Sequence, residues 1–416
     1  MKKYDIVIIG AGASGLVCAS KLSDLNLNKN ILLIDRMNKV GKKILATGNG
    51  RCNISNKNIN LENYYSNNKI FVENQIKNLS NNIILEYFEE LGLKTKLIEN
   101  GYYPITEQSA TVVEVLELKI KECKNIDILL ETEVICIKKN DRFEIETNNE
   151  KIISELVVLS TGGRAYPTLG SNGSGYKLAS SLNHKQTKIY KALTQVKSDS
   201  KSLKYLKGAR IKTNAKIYVN NKFVEEEAGE VQFTETGLSG ICIFNLSHIA
   251  SYNTEVLKNN VIIKLDLMPD TSYEKLKKEL ENRKNKFKDR IIDFYLTGLL
   301  NNKISYAIYE NLKINVNKKV SNLTQVEIEN ICSFIKEFEF KISGVNDFDN
   351  AQVTAGGVDT TEVNPQTFES LINKNLYIIG EIIDIHGDCG GYNLNFAFTS
   401  GLIAAESIGG YYDKNK

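Results

Sequence analysis

The stretch that decides the fold is Gly10-Ala11-Gly12-Ala13-Ser14-Gly15, a glycine turn of the form G-x-G-x-x-G. Residues 4–9 (YDIVII) before it form an apolar run typical of a buried β-strand, and residues 16–25 after it have a helical pattern. A second apolar strand at 31–35 ends in Asp35, about 20 residues after Gly15. This order predicts a parallel, right-handed β-α-β unit.

Each position of this turn has a physical task in binding a dinucleotide. Gly10 permits the tight turn, Gly12 lets the backbone approach a pyrophosphate, and Gly15 allows helix and strand to pack closely. The pyrophosphate is expected at the positive end of the helix, and Asp35 is expected to accept hydrogen bonds from the adenosine ribose. The predicted contacts of this part are Gly10, Gly12, Ala13, Ser14, Gly15, Asp35 and Arg36. The turn alone does not distinguish FAD from NAD.

Composition excludes several classes of protein. The seven cysteines are scattered and form no Cys-x-x-Cys pair, and there are only three histidines. We therefore expect neither a metal site nor a disulfide framework, which fits a reducing cytoplasm. No segment approaches the roughly 20 continuous apolar residues of a membrane span. The sequence predicts a cytoplasmic protein without a membrane anchor, and it leaves the oligomeric state open.

The order of patterns along the chain predicts an α/β fold with inserted modules. Buried-strand patterns appear at 156–159 and again at 376–380, and residues 392–408 have the pattern of a closing helix. Residues 205–265 alternate like strands, whereas residues 270–340 have helical spacing. We predict a Rossmann-like dinucleotide-binding domain from residues 1–185 and 342–416. The predicted insertions are a β-rich, barrel-like domain (186–268 and 326–341) and a helical domain (269–325).

A longer segment, residues 41–53 (GKKILATGNGRCN), is more specific than the glycine turn. It resembles the signature of a bacterial family, the BaiN-like or YhiN-like FAD-dependent oxidoreductases. The resemblance continues, in the family's order, in 160–163 (STGG), 167–175 (PTLGSNGSG), 233–240 (FTETGLSG), 351–358 (AQVTAGGV), 380–381 (GE) and 390–394 (GGYNL). This chain departs from the pattern at Glu235, Ile241 and Cys389, which puts a substrate role of the 233–240 loop in doubt.

The resemblance implies FAD as the cofactor, and the residues of these segments suit it. Backbone amides of the 48–53 loop could meet the flavin ring or the phosphates, Glu381 suits the ribityl hydroxyls, and the helix near Asn393 points its positive end at the flavin. The additional predicted FAD contacts are Lys42, Gly48, Asn49, Gly50, Arg51, Cys52, Asn53, Thr161, Gly162, Gly163, Gly380, Glu381, Gly391, Tyr392 and Asn393.

The resemblance also implies a reductase of activated C=C bonds. Some members are linked to reduction of bile-acid intermediates, and others to reduction of uridine to dihydrouridine in ribosomal RNA. Both reactions pass hydride from flavin N5 and need a proton donor, for which Cys52 and His386 are the candidates and Tyr102 and Tyr103 are further ones. Because no second G-x-G-x-x-G occurs, NAD(P)H is expected to dock only transiently as the reductant, unless another donor serves.

The distribution of charge bears on the substrate. Residues 185–222 contain ten lysines and one arginine against the single acid Asp199, a net +10, whereas the whole chain carries +3. Such a patch, with Tyr190 and Tyr205 interleaved, suits RNA, although a solvated lysine-rich face is the alternative. We predict 23S ribosomal RNA as the substrate, with a small-molecule enone or a non-catalytic RNA-binding flavoprotein as alternatives. The predicted RNA contacts are Lys188, Lys191, Lys201, Lys204, Lys207, Arg210 and Lys212.

Overall fold

The computed structural model describes residues 1–25 and 27–414. Contacts divide the chain into two units, the first formed by Met1–Ile189 with Phe348–Lys416 and the second by Tyr190–Asp347. The first unit is therefore assembled from both ends of the chain, and the second is inserted between them.

The bounds of the regular elements follow in chain order. The strands are β1 (Lys2–Ile9), β2 (Ile31–Ile34), β3 (Ser55–Asn56), β4 (Tyr64–Tyr65), β5 (Thr95–Ile98), β6 (Gly101–Pro104), β7 (Ile126–Leu129), β8 (Val134–Lys139), β9 (Phe143–Thr147), β10 (Lys151–Leu159), β11 (Tyr190–Ala192), β12 (Val196–Ser198), β13 (Arg210–Val219), β14 (Lys222–Phe233), β15 (Gly237–Ser239), β16 (Val261–Asp266), β17 (Phe338–Val345), β18 (Val353–Ala355), β19 (Leu376–Ile378) and β20 (His386–Gly387). The α-helices are α1 (Ala13–Asp24), α2 (Lys42–Ala46), α3 (Lys69–Gln75), α4 (Asn81–Glu90), α5 (Ser109–Glu122), α6 (Ser174–Ser181), α7 (Leu203–Leu206), α8 (Ile241–Ser251), α9 (Tyr273–Lys286), α10 (Asn302–Asn311), α11 (Gln325–Lys336) and α12 (Tyr392–Lys414).

The main sheet of the first unit has the order β7-β2-β1-β10-β9-β8, and β19 pairs with the carboxyl half of β10. Strands β7, β2, β1, β10 and β19 are parallel, whereas β8 and β9 form an antiparallel hairpin. The apolar runs of β1, β2 and β10 are buried on both faces, as a parallel sheet covered by helices requires. This arrangement confirms the predicted α/β, Rossmann-like fold.

Helices α1 and α12 meet across a close contact at Gly401. A Cβ there would lie 2.4 Å from the carbonyl oxygen of Ser14, so only glycine lets the two helices approach this far. The contact holds the start of α1 against the middle of the last helix. It therefore ties the glycine turn near the amino terminus to the carboxyl-terminal part of the chain.

The second unit contains a closed barrel of order β12-β15-β14-β13-β16-β17. Its interior and the buried faces of α9, α10 and α11 belong to one hydrophobic core, which contains for example Ile263, Leu276 and Ile308. The expectation of strands throughout 205–265 is wrong at α8. That helix (ICIFNLSHIAS) is apolar around most of its circumference, so its sequence lacks the periodicity that separates a buried helix from a strand.

No helix within residues 1–25 and 27–414 combines the length and the apolarity that a bilayer crossing requires.

Candidate cofactor site

The parallel strands of the first unit end at a common edge of the sheet. Ile9 of β1 lies beside Leu159 of β10 and Ile34 of β2, and Leu159 lies beside Ile378 of β19. The residues that follow these strands are therefore neighbours, although they are far apart in sequence. Ligands of open α/β sheets bind outside the carboxyl ends of the strands, so this sheet edge is the expected position of a cofactor.

The three glycines of the turn differ in what surrounds them. A Cβ on Gly10 would lie 2.4 Å from the carbonyl oxygen of Ser160, and a Cβ on Gly15 would lie 1.9 Å from that of Gly10. Nothing lies within 4 Å of the corresponding position on Gly12. Packing within the chain therefore explains Gly10 and Gly15 but not Gly12, whose missing side chain leaves open space at the start of α1, where a phosphate would bind.

Asp35, directly after β2, is hydrogen-bonded to the glycine turn. Its carboxylate accepts hydrogen bonds from the backbone amides of Ala11 (2.7 Å) and Met37 (2.8 Å). Burial raises the pKa of this carboxyl, whereas the two amides and the charges of Arg36 and Lys42 oppose that change. Each carboxylate oxygen can accept a second hydrogen bond, so Asp35 keeps acceptor capacity for a hydroxyl.

The 48–53 loop has an unusual backbone. Gly48, Asn49, Gly50 and Cys52 all have positive φ, between 55° and 83°. This conformation suits glycine and is strained for Cys52, and such strain is concentrated at functional sites. Gly48, Asn49 and Gly50 are exposed, and no atom lies within 4 Å of a Cβ built on Gly50.

This loop and the start of α12 are joined by the segment that follows the loop. The side-chain amide of Asn56 donates to the carbonyl of Gly390 (2.8 Å), and that of Asn395 donates to Ser55 Oγ (2.9 Å). A Cβ on Gly391 would lie 2.7 Å from the carbonyl oxygen of Ser55. The structure thus brings together two segments that the resemblance assigned to the same cofactor.

Glu381 connects segments that are distant in the sequence. One oxygen accepts from Lys43 Nζ (2.6 Å) and the other from the backbone amide of Thr354 (2.8 Å). Thr354 Oγ1 in turn accepts from the amides of Arg164 (2.7 Å) and Ala165 (3.0 Å), directly after 160–163. Sequence reasoning missed Lys43 and Thr354; both lie in segments that carried the resemblance, but nothing in their spacing indicated this contact.

Several buried polar atoms near these segments have no hydrogen-bond partner within the described residues. They are Asn53 Oδ1, Thr161 Oγ1, Tyr176 OH, Asn395 Oδ1 and Thr399 Oγ1. Such groups are costly to bury unless a ligand or water satisfies them. Together with the open space at Gly12, they fit a large polar cofactor at the sheet edge, as FAD would be.

The remaining predicted contacts have partners inside the chain. Gly162 has a positive φ of 70°, and Gly380 faces Ser14, whose Oγ would lie 2.4 Å from a Cβ on Gly380. A Cβ on Gly163 would lie 3.0 Å from a Glu381 carboxylate oxygen. Tyr392 donates from its hydroxyl to the carbonyl of Asn58 (3.0 Å).

Three of the predicted FAD contacts, two arginines and an asparagine, interact with other residues of the chain. Arg36 lies 3.9 Å from a Glu133 carboxylate, and Arg51 lies 3.6 Å from that of Glu107. The Arg51 guanidinium also lies 5.0 Å from the centre of the Tyr103 ring. The Asn393 side chain accepts a hydrogen bond from the backbone amide of Gly387 and donates one to its carbonyl oxygen, both at 2.8 Å. These two bonds fix the turn before α12.

The two candidate proton donors lie in different surroundings. Cys52 is completely buried, and burial raises the pKa of its thiol to about 12. His386 is also buried and stacks on the ring of Tyr65, with 5.2 Å between the ring centres. Tyr65 donates its hydroxyl to Asp388 (3.0 Å), whose pKa is raised by burial. Tyr65 carried no signal in the sequence.

Three cations of the predicted RNA surface are paired with acids. Lys191 bonds to Glu255, Lys207 Nζ lies 2.7 Å from Glu235, and Arg210 lies 3.2 Å from Glu230. The hairpin β13–β14 also brings acids to this part of the chain, since Glu230 lies opposite Lys212 and Glu226 lies opposite Lys216. For Lys188, Lys201, Lys204 and Lys212 no carboxylate lies within 4 Å among the described residues.

Within residues 1–25 and 27–414, no group of three or more His, Cys, Asp or Glu side chains could hold a metal ion. The seven cysteines form no disulfide in this part of the chain.

Comparison with known proteins agrees with this geometry. The family model described as the HI0933-like protein Rossmann domain matches residues 4–407. A 3-dehydro-bile acid delta(4,6)-reductase of Clostridium scindens is 35% identical over 97% of this chain and 98% of the relative. A ribosomal RNA dihydrouridine synthase of Haemophilus influenzae is 29% identical over 98% of this chain and 99% of its own length.

The fold also resembles that of a solved reductase. Escherichia coli quinol fumarate reductase FrdA matches 100% of this chain and 72% of its own length, with a TM-score of 0.52 and 15% identity. At this identity the likeness concerns the fold alone, which is the Rossmann FAD-binding fold. Since the family model spans almost the whole sequence, the chain belongs to the HI0933-like Rossmann family, a family of FAD-type oxidoreductases.

Proposed function

We propose that this protein is an FAD-dependent reductase that adds a hydride and a proton across an electron-poor C=C bond. The observation that carries the proposal is the sheet edge, where the glycine turn, residues 160–163 and Gly380–Glu381 surround open space and unsatisfied buried polar atoms. The names of the two relatives describe related chemistry, since a delta(4,6)-reductase and a dihydrouridine synthase both saturate a conjugated C=C bond.

The chain's own residues divide the work of holding the cofactor. We assign the phosphates to the amides around Gly12, the adenosine ribose to Asp35, and the ribityl chain to Glu381, which Lys43 and Thr354 orient. The 48–53 loop and the turn before α12 are assigned to the ring. When bound and reduced by NAD(P)H, FAD would supply the hydride from its N5 atom.

Cys52 is the first candidate for the proton donor. Its thiol carries a proton at neutral pH, as a donor must, and burial, which raises its pKa to about 12, makes it a weak acid that releases the proton only to a strongly basic carbanion. His386 is the second candidate, oriented by its stacking on Tyr65. The reductant is assigned to NAD(P)H, which docks transiently because the sequence has no second glycine turn of this type.

For the substrate we favour a uridine of ribosomal RNA. The exposed cations Lys188, Lys201 and Lys212, which lie at least 4 Å from any described carboxylate, offer contacts for phosphates. The acids paired with Lys207 and Arg210 cancel two of the ten net positive charges counted in sequence. A small enone is the second candidate, favoured by the 35% identity to the bile-acid reductase.

The decisive experiment is mass spectrometry of 23S ribosomal RNA from cells with and without this gene. We expect one dihydrouridine to revert to uridine in the deletion strain and to return when the protein is supplied with FAD and NAD(P)H. If every dihydrouridine persists, the RNA substrate is wrong, and turnover of steroid-like enones by the purified flavoprotein then tests the reductase itself.

A second experiment tests the proton donor. We expect Cys52→Ala to lower turnover at least tenfold while the rate of flavin reduction by NAD(P)H stays within twofold. Cys18→Ala, at another completely buried cysteine, is the matched control. Unchanged turnover in Cys52→Ala would transfer the role to His386, for which His386→Gln is the corresponding variant.

A further inference from the structure

A cleft in the first unit lies next to the Glu381 junction and is lined by two cations. It is formed by Arg164, Gln186, Thr187, Lys188 and Ile189, with a volume of about 460 Å³. All five residues belong to the part of the first unit that ends at Ile189. Lys188 was assigned to RNA from the sequence, whereas Arg164 was assigned no role.

Both sides of this cleft are held by one segment, residues 354–358. Thr354 Oγ1 accepts from the amide of Arg164 (2.7 Å), and the amide of Thr187 donates to the carbonyl of Gly357 (2.9 Å). A Cβ on Gly356 would lie 2.0 Å from the carbonyl oxygen of Lys188. The end of the AQVTAGGV motif therefore fixes the backbone on both sides of the cleft.

Neither cation is neutralised by the chain. Within the described residues, no carboxylate lies within 4 Å of the Arg164 guanidinium or the Lys188 ammonium group. Both residues are exposed, and the Arg164 guanidinium lies 4.8 Å from the centre of the Phe348 ring. Stacking on an aromatic ring restricts an arginine to one orientation, so less freedom is lost when it binds a ligand.

The position of the cleft connects it with the cofactor. Arg164 directly follows Gly163, whose Cβ position lies 3.0 Å from a Glu381 oxygen. The glycine at 173 lies 3.6 Å, measured from its Cβ position, from both Arg164 Cγ and Tyr176 Cδ2. The Tyr176 hydroxyl is one of the buried groups without a hydrogen-bond partner among the described residues.

We propose that Arg164 and Lys188 form a phosphate-binding subsite that anchors a reactant beside the flavin. A guanidinium binds phosphate through two parallel hydrogen bonds, and an ammonium group adds a point charge. The inference rests on the proposed function, because both the nicotinamide reductant and an RNA substrate carry phosphate. The phosphate comes either from the nicotinamide dinucleotide or from the RNA backbone.

The test measures binding without turnover, using the holoenzyme and the variants Arg164→Gln and Lys188→Gln. The probes are NADPH, NADH, inorganic pyrophosphate and a uridine-containing RNA oligonucleotide, titrated at fixed ionic strength. Arg142→Gln, which removes an exposed arginine from the β8–β9 turn, is the control. We expect at least tenfold weaker binding of NADPH or of the RNA in Arg164→Gln, and a smaller loss in Lys188→Gln.

The pattern of losses identifies the source of the phosphate. Weaker NADPH and NADH binding with unchanged RNA binding assigns the subsite to the reductant, and the reverse assigns it to the RNA backbone. If both variants bind every probe within twofold of Arg142→Gln, with normal flavin content and melting temperature, the subsite is wrong. Because no turnover is required, failure of the alkene-reductase assignment would leave this result unaffected.

Discussion

The sheet edge and the basic segment, residues 185–222, differ in how well the sequence alone predicts their properties. At the sheet edge, the glycine turn predicted from spacing lies where the strands of the first unit end. In the basic segment, a net charge of +10 is partly cancelled by acids that lie outside the counted window, among them Glu226 and Glu230 of β14. A glycine motif predicts the local backbone conformation, whereas the effect of a charged side chain depends on which residues the fold places beside it.

The largest effect should come from Gly15, where packing alone demands glycine. A Cβ would lie 1.9 Å from the carbonyl oxygen of Gly10, so Gly15→Val must displace the backbone of the turn. We expect the free energy of unfolding to fall by more than about 3 kcal/mol, measured by urea denaturation of the apoprotein. A decrease below about 1 kcal/mol would contradict the close packing of α1 on β1.

Gly12→Val is the matched variant, because its Cβ would point into open space. The backbone at Gly12 is extended, with φ −82° and ψ −162°, so it lacks the left-handed conformation that would strain a side chain. We therefore expect the apoprotein to keep its stability within about 1 kcal/mol while the flavin-to-protein ratio falls at least tenfold. Full flavin content in Gly12→Val would show that the phosphates bind elsewhere.

The next effect concerns the ion pair that joins α2 to the sheet edge. Lys43 and Glu381 are 2.6 Å apart, with 22% and 18% of their side chains exposed. Removing the cation in Lys43→Met leaves a mostly buried carboxylate, and we expect a loss of about 2 kcal/mol in the free energy of unfolding. Lys42→Met serves as the control and should change stability by less than about 0.5 kcal/mol.

A smaller effect should appear at alkaline pH. Burial raises the pKa of Cys18 and of Cys52 to about 12, above the roughly 8.5 of an unfolded thiol. Each thiol keeps its proton in the folded state, so its contribution is complete below pH ~8.5 and is lost as the pH rises towards 12. Between pH 9 and 10 we expect a loss of about 1.4 kcal/mol per thiol.

Cys18→Ala isolates this effect from the tyrosines that titrate in the same range. The difference in unfolding free energy between the wild type and Cys18→Ala should shrink by about 1.4 kcal/mol from pH 9 to pH 10. A difference that stays constant across this interval would mean that the thiol titrates normally in the folded protein.

The smallest effects are expected in the basic segment itself. The double variant Lys201→Gln and Lys212→Gln removes cations without a described acidic partner, whereas Lys207→Gln and Arg210→Gln remove paired ones. Each of the substitutions Lys201→Gln and Lys212→Gln should lower the salt dependence of RNA binding by the equivalent of about one phosphate contact. Each of Lys207→Gln and Arg210→Gln should lower it by less than half as much. Equal reductions would mean that RNA displaces the acids.

The parts of the fold predicted from sequence are those with strong local patterns. The strands β1, β2 and β10 and the helix α12 were recognisable because buried parallel strands are continuously apolar and glycine turns separate them. The helix α8 was missed for the related reason that an apolar run carries no period. The hydrophobic pattern of a segment distinguishes a helix from a strand only where one face of the element is apolar and the other is polar.

The candidate site was predicted as a set of segments but not as a set of contacts. The resemblance to the family identified Glu381 and the 48–53 loop, yet the bonds from Lys43 and Thr354 to Glu381 join residues that are distant in the chain. Tyr65, which stacks on His386, lies in a segment without any motif. Arg164 likewise becomes noticeable only when Lys188 is seen across the same cleft.

The amino-acid sequence by itself determined the Rossmann-like α/β fold, because glycine spacing and apolar runs express its backbone requirements locally. The family followed from the resemblance of residues 41–53 and the later motifs. Only the tertiary structure decided which cations are neutralised, which carboxylates are oriented and which polar atoms remain unsatisfied. The physical reason is that electrostatic and hydrogen-bond energies depend on distance in space, and strand pairing brings together residues that the chain separates by hundreds of positions.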